Sequence, residues 1–310
     1  GDPGAISNAG AKKPLPEPRL VVEQSMGRWD HYRTMVDATG PLALEGRVRG
    51  RAVLSYLDTD YFVDVKHQRT PQLYGVLEAD LTPDTLLSVG ASHATKHTTG
   101  DGAGSLPRYS DGGDIRLPPH ISFSQPWAKG TRKNNEFFAA LEHQFANRWK
   151  LKLNASRTKS NYEGNDAFGM GAFDRATGTG VTWWGGFQYL DENAQTVLDA
   201  SLAGTFELAG RKHEFLVGMD QQKVSSFWNA GCTSSPRGVE PIDVYNPGAW
   251  NPAPAGPFSE RYAPWGQQQH GGYGVLRLHP TDRLHVIVGA RYAKYKFDQV
   301  YEYVNNGSWT

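Results

Sequence analysis

Apolar and polar residues alternate with period two along much of this chain, most cleanly between residues 47 and 80. Val48, Gly50, Ala52, Leu54 and Tyr56 share one parity. Arg47, Arg49, Arg51 and Ser55 share the other, with Val53 the one apolar residue among them. After a polar connection at about 58–71, Leu73, Gly75, Leu77, Ala79 and Leu81 fall on one parity and Glu78 and Asp80 on the other. Such alternation predicts two strands whose faces meet different surroundings.

The same signal recurs along the chain. Strands are predicted at 19–26, 31–39, 86–93, 137–145, 149–161, 196–208, 213–221, 272–278 and 284–292, besides the two of the opening hairpin. On the strand from Trp149, for example, Leu151, Leu153 and Ala155 oppose Lys150, Lys152 and Asn154. Tight turns follow the even-numbered strands, at Pro83-Asp84, Ala146-Asn147, Ala209-Gly210 and Pro280-Thr281 among others. Medium or long connections follow the third, fifth, seventh and ninth strands. Three of these are expected to be irregular, at about 95–133, 162–192 and 227–267, the last holding seven of the nineteen prolines.

Consecutive antiparallel strands put alternate connections at opposite ends. All short turns then lie at one end and all long loops at the other, which is the layout of an outer-membrane β-barrel. Loops beyond about 12–15 residues are uncommon in a compact soluble domain, so three long ones point to a functional surface. The expected fold class is all-β: a transmembrane antiparallel up-and-down barrel.

Composition agrees with that reading. Mean hydropathy is −0.56 and no apolar run approaches the roughly 20 residues of a spanning helix. A barrel needs only alternate residues to be apolar. Formal net charge is zero, so no overall field points toward nucleic acid. The single cysteine, Cys232, excludes an internal disulfide framework. The chain starts at Gly1 without a signal sequence and stops at Thr310 just past a strand, and is expected to be a fragment.

Several runs resemble the first barrel strands of TonB-dependent ferric-siderophore receptors, in the hydroxamate- and pyoverdine-type branch. They are GRWDHYR from Gly27, VDATGPL, VRGRAVLSYLDTDYFVD and YGVLEADLTPDT, followed by SLPRYSDGGDIRLPPHISFSQPWAKG and NRWKLKLNASRTKSNYEG. Gly1-Asp2-Pro3-Gly4 resembles the end of that family's plug, although Ala5 stands where a second glycine is usual. The resemblance implies that residues 1–17 end the plug domain and 18–310 form the N-terminal half of the barrel, about 11 of 22 strands. It implies active uptake of iron chelates across the outer membrane of a Gram-negative bacterium. The implied partners are a ferric siderophore, the TonB energy-coupling complex reached through the plug, and outer-membrane lipid. Iron is implied only as part of that ligand, with no resident cofactor or metal.

Aromatic residues concentrate in the long connections. Tyr109, Trp127, Trp183, Trp184, Tyr189, Trp228, Trp250 and Trp265 are the candidate ligand-binding residues, with Tyr245, Tyr262 and Trp309 beside them. Tyr and Trp offer large, rigid contact area with a polar handle, suited to a bulky chelate. The alternative is that these rings pack the loops together or form an interfacial girdle. Arg47, Arg49 and Arg51 are expected on a lumen wall. His93 and His97 are four apart, a metal spacing only on a helix, and here lie in a strand end and loop. No nucleophile–base arrangement or phosphate loop stands out, so an enzyme is not expected. A passive porin-like channel and a soluble β-sheet binding module are the rival readings.

Overall fold

The computed structural model describes residues 12–100, 106–233, 241–250 and 255–299. Gly1 to Ala5, Trp309 and the side chains of Trp184, Cys232 and Tyr262 lie outside what it describes. Among the described residues eleven strands form one antiparallel sheet in simple sequential order: β1 (Arg19–Gly27), β2 (His31–Ala43), β3 (Val48–Asp60), β4 (His67–Thr82), β5 (Thr85–Thr99) and β6 (Lys129–Gln144). β7 (Lys150–Gly171), β8 (Val181–Leu208), β9 (Arg211–Thr233), β10 (Ala255–Leu278) and β11 (Val286–Gln299) complete it. β1 and β11 are its two edges. Every predicted strand is present; the turns after β2, β4, β6, β8 and β10 lie at one end, whereas the three-residue β1–β2 turn at 28–30 lies at the other end with the longer connections.

The strands are longer than the alternation predicts, which corrects the loop boundaries. Most of the stretch 162–192 is strand, with only residues 172–180 between β7 and β8. Much of 227–267 is also strand, because β9 runs on to Thr233 and β10 starts at Ala255. β5 and β6 likewise reach into 95–133. The reason is solvent. Above a membrane both faces of a strand are wet, so Asn161, Glu163 and Asn165 alternate with Tyr162, Gly164 and Asp166 without an apolar parity. The backbone ladder continues regardless, pairing Tyr162 with Asp191 and Glu163 with Leu190. At about 3.3 Å per residue, the 28 residues of β8 extend roughly 90 Å, where 9–11 residues would cross a bilayer.

Pro71, expected in a connection, instead lies within β4 opposite Tyr56. The β4–β5 register passes from Arg69–His97 to Gln72–Ala94, so Thr70 and Pro71 are left out of that ladder. That is where a residue lacking an N–H is tolerated.

Register separates the two faces. Leu54, Leu73, Val89, Phe137, Leu153, Leu198, Met219 and Tyr292 share one face and are exposed, Phe137 by 65%. This is the lipid-facing side. On the opposite, inner face, Arg51 pairs with Asp37 at 2.6 Å, and Arg49 reaches Asp80 at 2.6 Å and Glu78 at 3.7 Å. The arginine row is therefore neutralised by carboxylates of the wall itself. Arg47 instead binds the Asp80 and Leu81 carbonyls at the adjacent turn. Residues 12–17 run across this inner face: Lys12 pairs with Asp37, and the Lys13 carbonyl accepts from Arg51.

Candidate ligand-binding site

Above the lipid-facing band, one inner-face row crosses four strands. Arg132 on β6 pairs in register with Tyr162 on β7, Tyr162 with Asp191 on β8, and Asp191 with Trp228 on β9. Antiparallel neighbours in register stand side by side, so alternating strands deliver these side chains to one surface. The Arg132 guanidinium lies 4.8 Å from the Tyr162 ring centroid, a cation–π contact, and reaches Ser160 Oγ at 3.5 Å. Tyr189 stacks on Trp228 with centroids 5.8 Å apart and an angle of 23°. Its hydroxyl donates to Asp166 Oδ2 at 3.1 Å.

Burial pushes the Asp191 carboxyl above the ordinary carboxylate range, an effect that the Arg132 charge opposes. The row thus presents a flat aromatic pair, a cation held over a ring and a half-buried carboxyl. This donor set can stack a planar group and hydrogen-bond polar substituents. Trp265 shares the face, since it pairs with Ser226 two residues from Trp228, and its ring lies 5.9 Å from Phe297.

The remaining aromatic candidates join the loops to one another. Ile115, Ile121, Phe123, Val181, Trp183, Ile242 and Val244 form a buried cluster, with Tyr109, Phe173 and Trp250 packed on it. Trp183 is 4% exposed and stacks on Trp250 at 5.7 Å and 7°. Trp127 meets Trp250 edge-on and donates its indole N–H to the Trp250 carbonyl. Gln125 closes a two-way pairing, donating to the Gly248 carbonyl and accepting from the Trp250 amide. Tyr109 carries Arg175 3.5 Å above its ring and lies within hydrogen-bond reach of Tyr245. The Gly113 amide, and after it Arg175, which pairs with Asp111 at 2.9 Å, hold that carboxyl below its usual range.

The structure therefore places Tyr189, Trp228 and Trp265 on strands of the inner wall, not in loops. Tyr109, Trp127 and Trp250 sit in the connections, and Trp183 at the start of β8. Arg132, Tyr162 and Asp191 were not singled out by sequence, because the stretch holding two of them lacks an apolar parity. Reading 162–192 as a hairpin would have aligned them. His93 and His97 bind Asn135, Thr95 and Thr131 on the outer face. Among the described residues no cluster of three metal-ligating side chains is present.

This sheet, with its short turns, long capped connections and two unlike faces, defines an outer-membrane barrel wall. The family model described as "TonB dependent receptor-like, beta-barrel" matches residues 73–310, and the chain belongs to that family. It is 32% identical over 306 residues to the ferripyoverdine receptor of Pseudomonas aeruginosa, covering 96% of this chain and 36% of that protein. It is 30% identical to the ferric-pyoverdine BN7/BN8 receptor of Pseudomonas putida, covering 96% of this chain and 37% of the relative. The chain thus spans little more than a third of these relatives' length.

Among solved structures, the outer-membrane ferripyoverdine receptor of Pseudomonas aeruginosa bound to ferripyoverdine superposes with a TM-score of 0.81 at 28% identity. That match covers 96% of this chain and 40% of the other. The alcaligin outer-membrane receptor of Bordetella pertussis gives a TM-score of 0.66 at 25% identity, covering 94% of this chain and 38% of the other.

Proposed function

We propose that this chain supplies the first barrel strands of a receptor that takes up a ferric siderophore by TonB-dependent transport. In this reading residues 12–17 are the end of the plug that fills the lumen. The observation that carries it is the inner row Arg132–Tyr162–Asp191–Trp228 with Tyr189 stacked beside it. The names of the relatives, ferripyoverdine and ferric-pyoverdine receptors, support a ligand of that chemical kind. Tyr189, Trp228 and Trp265 contact the chelate. Tyr109, Trp127, Trp183 and Trp250 hold the connections over it, with Trp184 adjoining them on β8.

The chelate brings its own iron, so the wall needs to grip organic surface without competing for the metal. Energy reaches the plug from the inner membrane through the coupling complex.

The test is binding of ferripyoverdine to the full-length receptor carrying Trp228→Ala. Losing a central aromatic anchor is expected to cost about 2 kcal/mol or more, roughly a thirtyfold weaker complex. Unchanged affinity would overturn the site. Size-limited sugar flux through the receptor in liposomes, without an energy source, would instead establish a passive channel.

A further inference from the structure

We propose that Asp191 makes the inner-face site selective for ferric chelates that carry a positively charged amine, bound between the Tyr162 and Trp228 rings. This rests on the receptor reading above. The register sets the geometry. Asp191 on β8 stands opposite Tyr162 on β7 and opposite Trp228 on β9, so it has an aromatic neighbour about 4.7–4.9 Å away on each side. Tyr189, two residues along β8 on the same face, stacks on Trp228.

The first feature that selects a cation is the state of the carboxyl. Asp191 is half-buried and, among the described residues, has no hydrogen bond and no ion pair. The other charged side chains of the inner face here are Lys96 and Arg132, in register on β5 and β6, with Glu136 and Asp166 farther along β6 and β7. Each stands apart from Asp191. Arg132 is two strand spacings away, held over the Tyr162 ring at 4.8 Å, and Lys96 is one strand farther. Asp166 accepts from the Tyr189 hydroxyl, and Glu136 from Ser92 Oγ. A half-buried carboxylate left without a partner costs stability, and such groups concentrate where a ligand supplies the partner.

The wall itself does not require the charge. The next inner row toward the membrane is Asn134, Ser160, Asn193 and Ser226, neutral throughout. One position along β8, the equivalent residue is therefore an amide.

The second feature is the rings. Aromatic faces carry negative potential and attract cations, and Tyr162 already holds the Arg132 guanidinium in this way. A carboxylate flanked by two such rings suits an ammonium group, which gains from all three. Arriving beside Asp191, the cation also offsets the burial that disfavours the carboxylate.

The experiment measures binding to the full-length receptor in detergent with two probes. One is a ferripyoverdine bearing a free amino group, and the other is the same chelate acetylated at that amine. Acetylation removes the positive charge and leaves the iron centre unchanged. Wild type is expected to bind the acetylated probe about tenfold or more weakly, the worth of a hydrogen bond to a charged group. Asp191→Asn is expected to bind both probes alike, and to hold the acetylated one as tightly as wild type does. Equal affinity of wild type for the two probes would overturn the proposal while leaving the receptor reading in place. So would a preference for the free amine that survives in Asp191→Asn, or a loss of both probes by that variant, which would mark a structural role. Wild type that binds neither probe would overturn the receptor reading, and this proposal with it.

Discussion

The indole of Trp149 lies across the face of Gly204 on the neighbouring β8. A Cβ at Gly204 would come within 2.4 Å of the indole Cδ1, and the indole N–H donates to the Thr205 carbonyl at 2.9 Å. Phe215 meets the same indole edge-on at 4.9 Å. The missing side chain is what lets the ring lie flat on the barrel at its short-turn rim.

Gly204→Val is therefore expected to destabilise the full-length receptor by about 1–3 kcal/mol, the usual cost of overpacking. Thermal unfolding in detergent measures it. With Trp149→Ala already present, the same substitution should cost much less. Additive effects would show that the two residues do not act on one another.

Arg51 and Asp37 form the second testable pair. Asp37 is 3% exposed and depends on Arg51 and Lys12 for compensation. Arg51→Met should lower stability by about 3–5 kcal/mol, as removal of one partner from a buried pair does. The double variant Arg51→Met/Asp37→Leu should recover much of that loss in denaturant unfolding.

Leu54 and Ser55 face opposite ways on β3. Leu54 is 54% exposed on the lipid side, while Ser55 lies inward beside Gln72. Leu54→Arg is expected to cost about 2–4 kcal/mol in bilayer insertion, and Ser55→Arg far less. Folding into lipid vesicles separates the two, and equal losses would reverse the assignment of faces.

Asp191 gives a pH signature. Its carboxyl is raised by burial, so the folded chain holds that proton more tightly than the unfolded chain does. The folded state is consequently penalised as pH rises from the ordinary carboxylate range through the raised one, and the penalty is relieved in acid. Asp191→Asn should remove this slope and raise stability at neutral pH. Melting temperatures of both forms across mildly acidic to neutral pH provide the check.

How much was legible depended on where each strand meets lipid. Leu54, Tyr56, Leu73 and Leu77 declared the β3–β4 hairpin because hydrocarbon demands apolar residues on one parity. The upper parts of β7 and β8 carry no such demand, and Asn161, Glu163 and Asn165 hid a paired strand. The aromatic candidates were visible by type alone. That Trp183 would stack on Trp250, 67 positions away, depends on loop packing that no local period encodes. Arg132 and Asp191 came to stand on one surface only once the register had aligned them through Tyr162.

The 22 residues of β7 and 28 of β8 carry the hydrogen-bonded wall far beyond any bilayer. In the proposed receptor, an incoming ligand would thus meet side chains already fixed on a hydrogen-bonded ladder, not loops that must first be ordered. The conformational entropy of forming that surface is lost when the protein folds, once, and does not recur with each ligand captured.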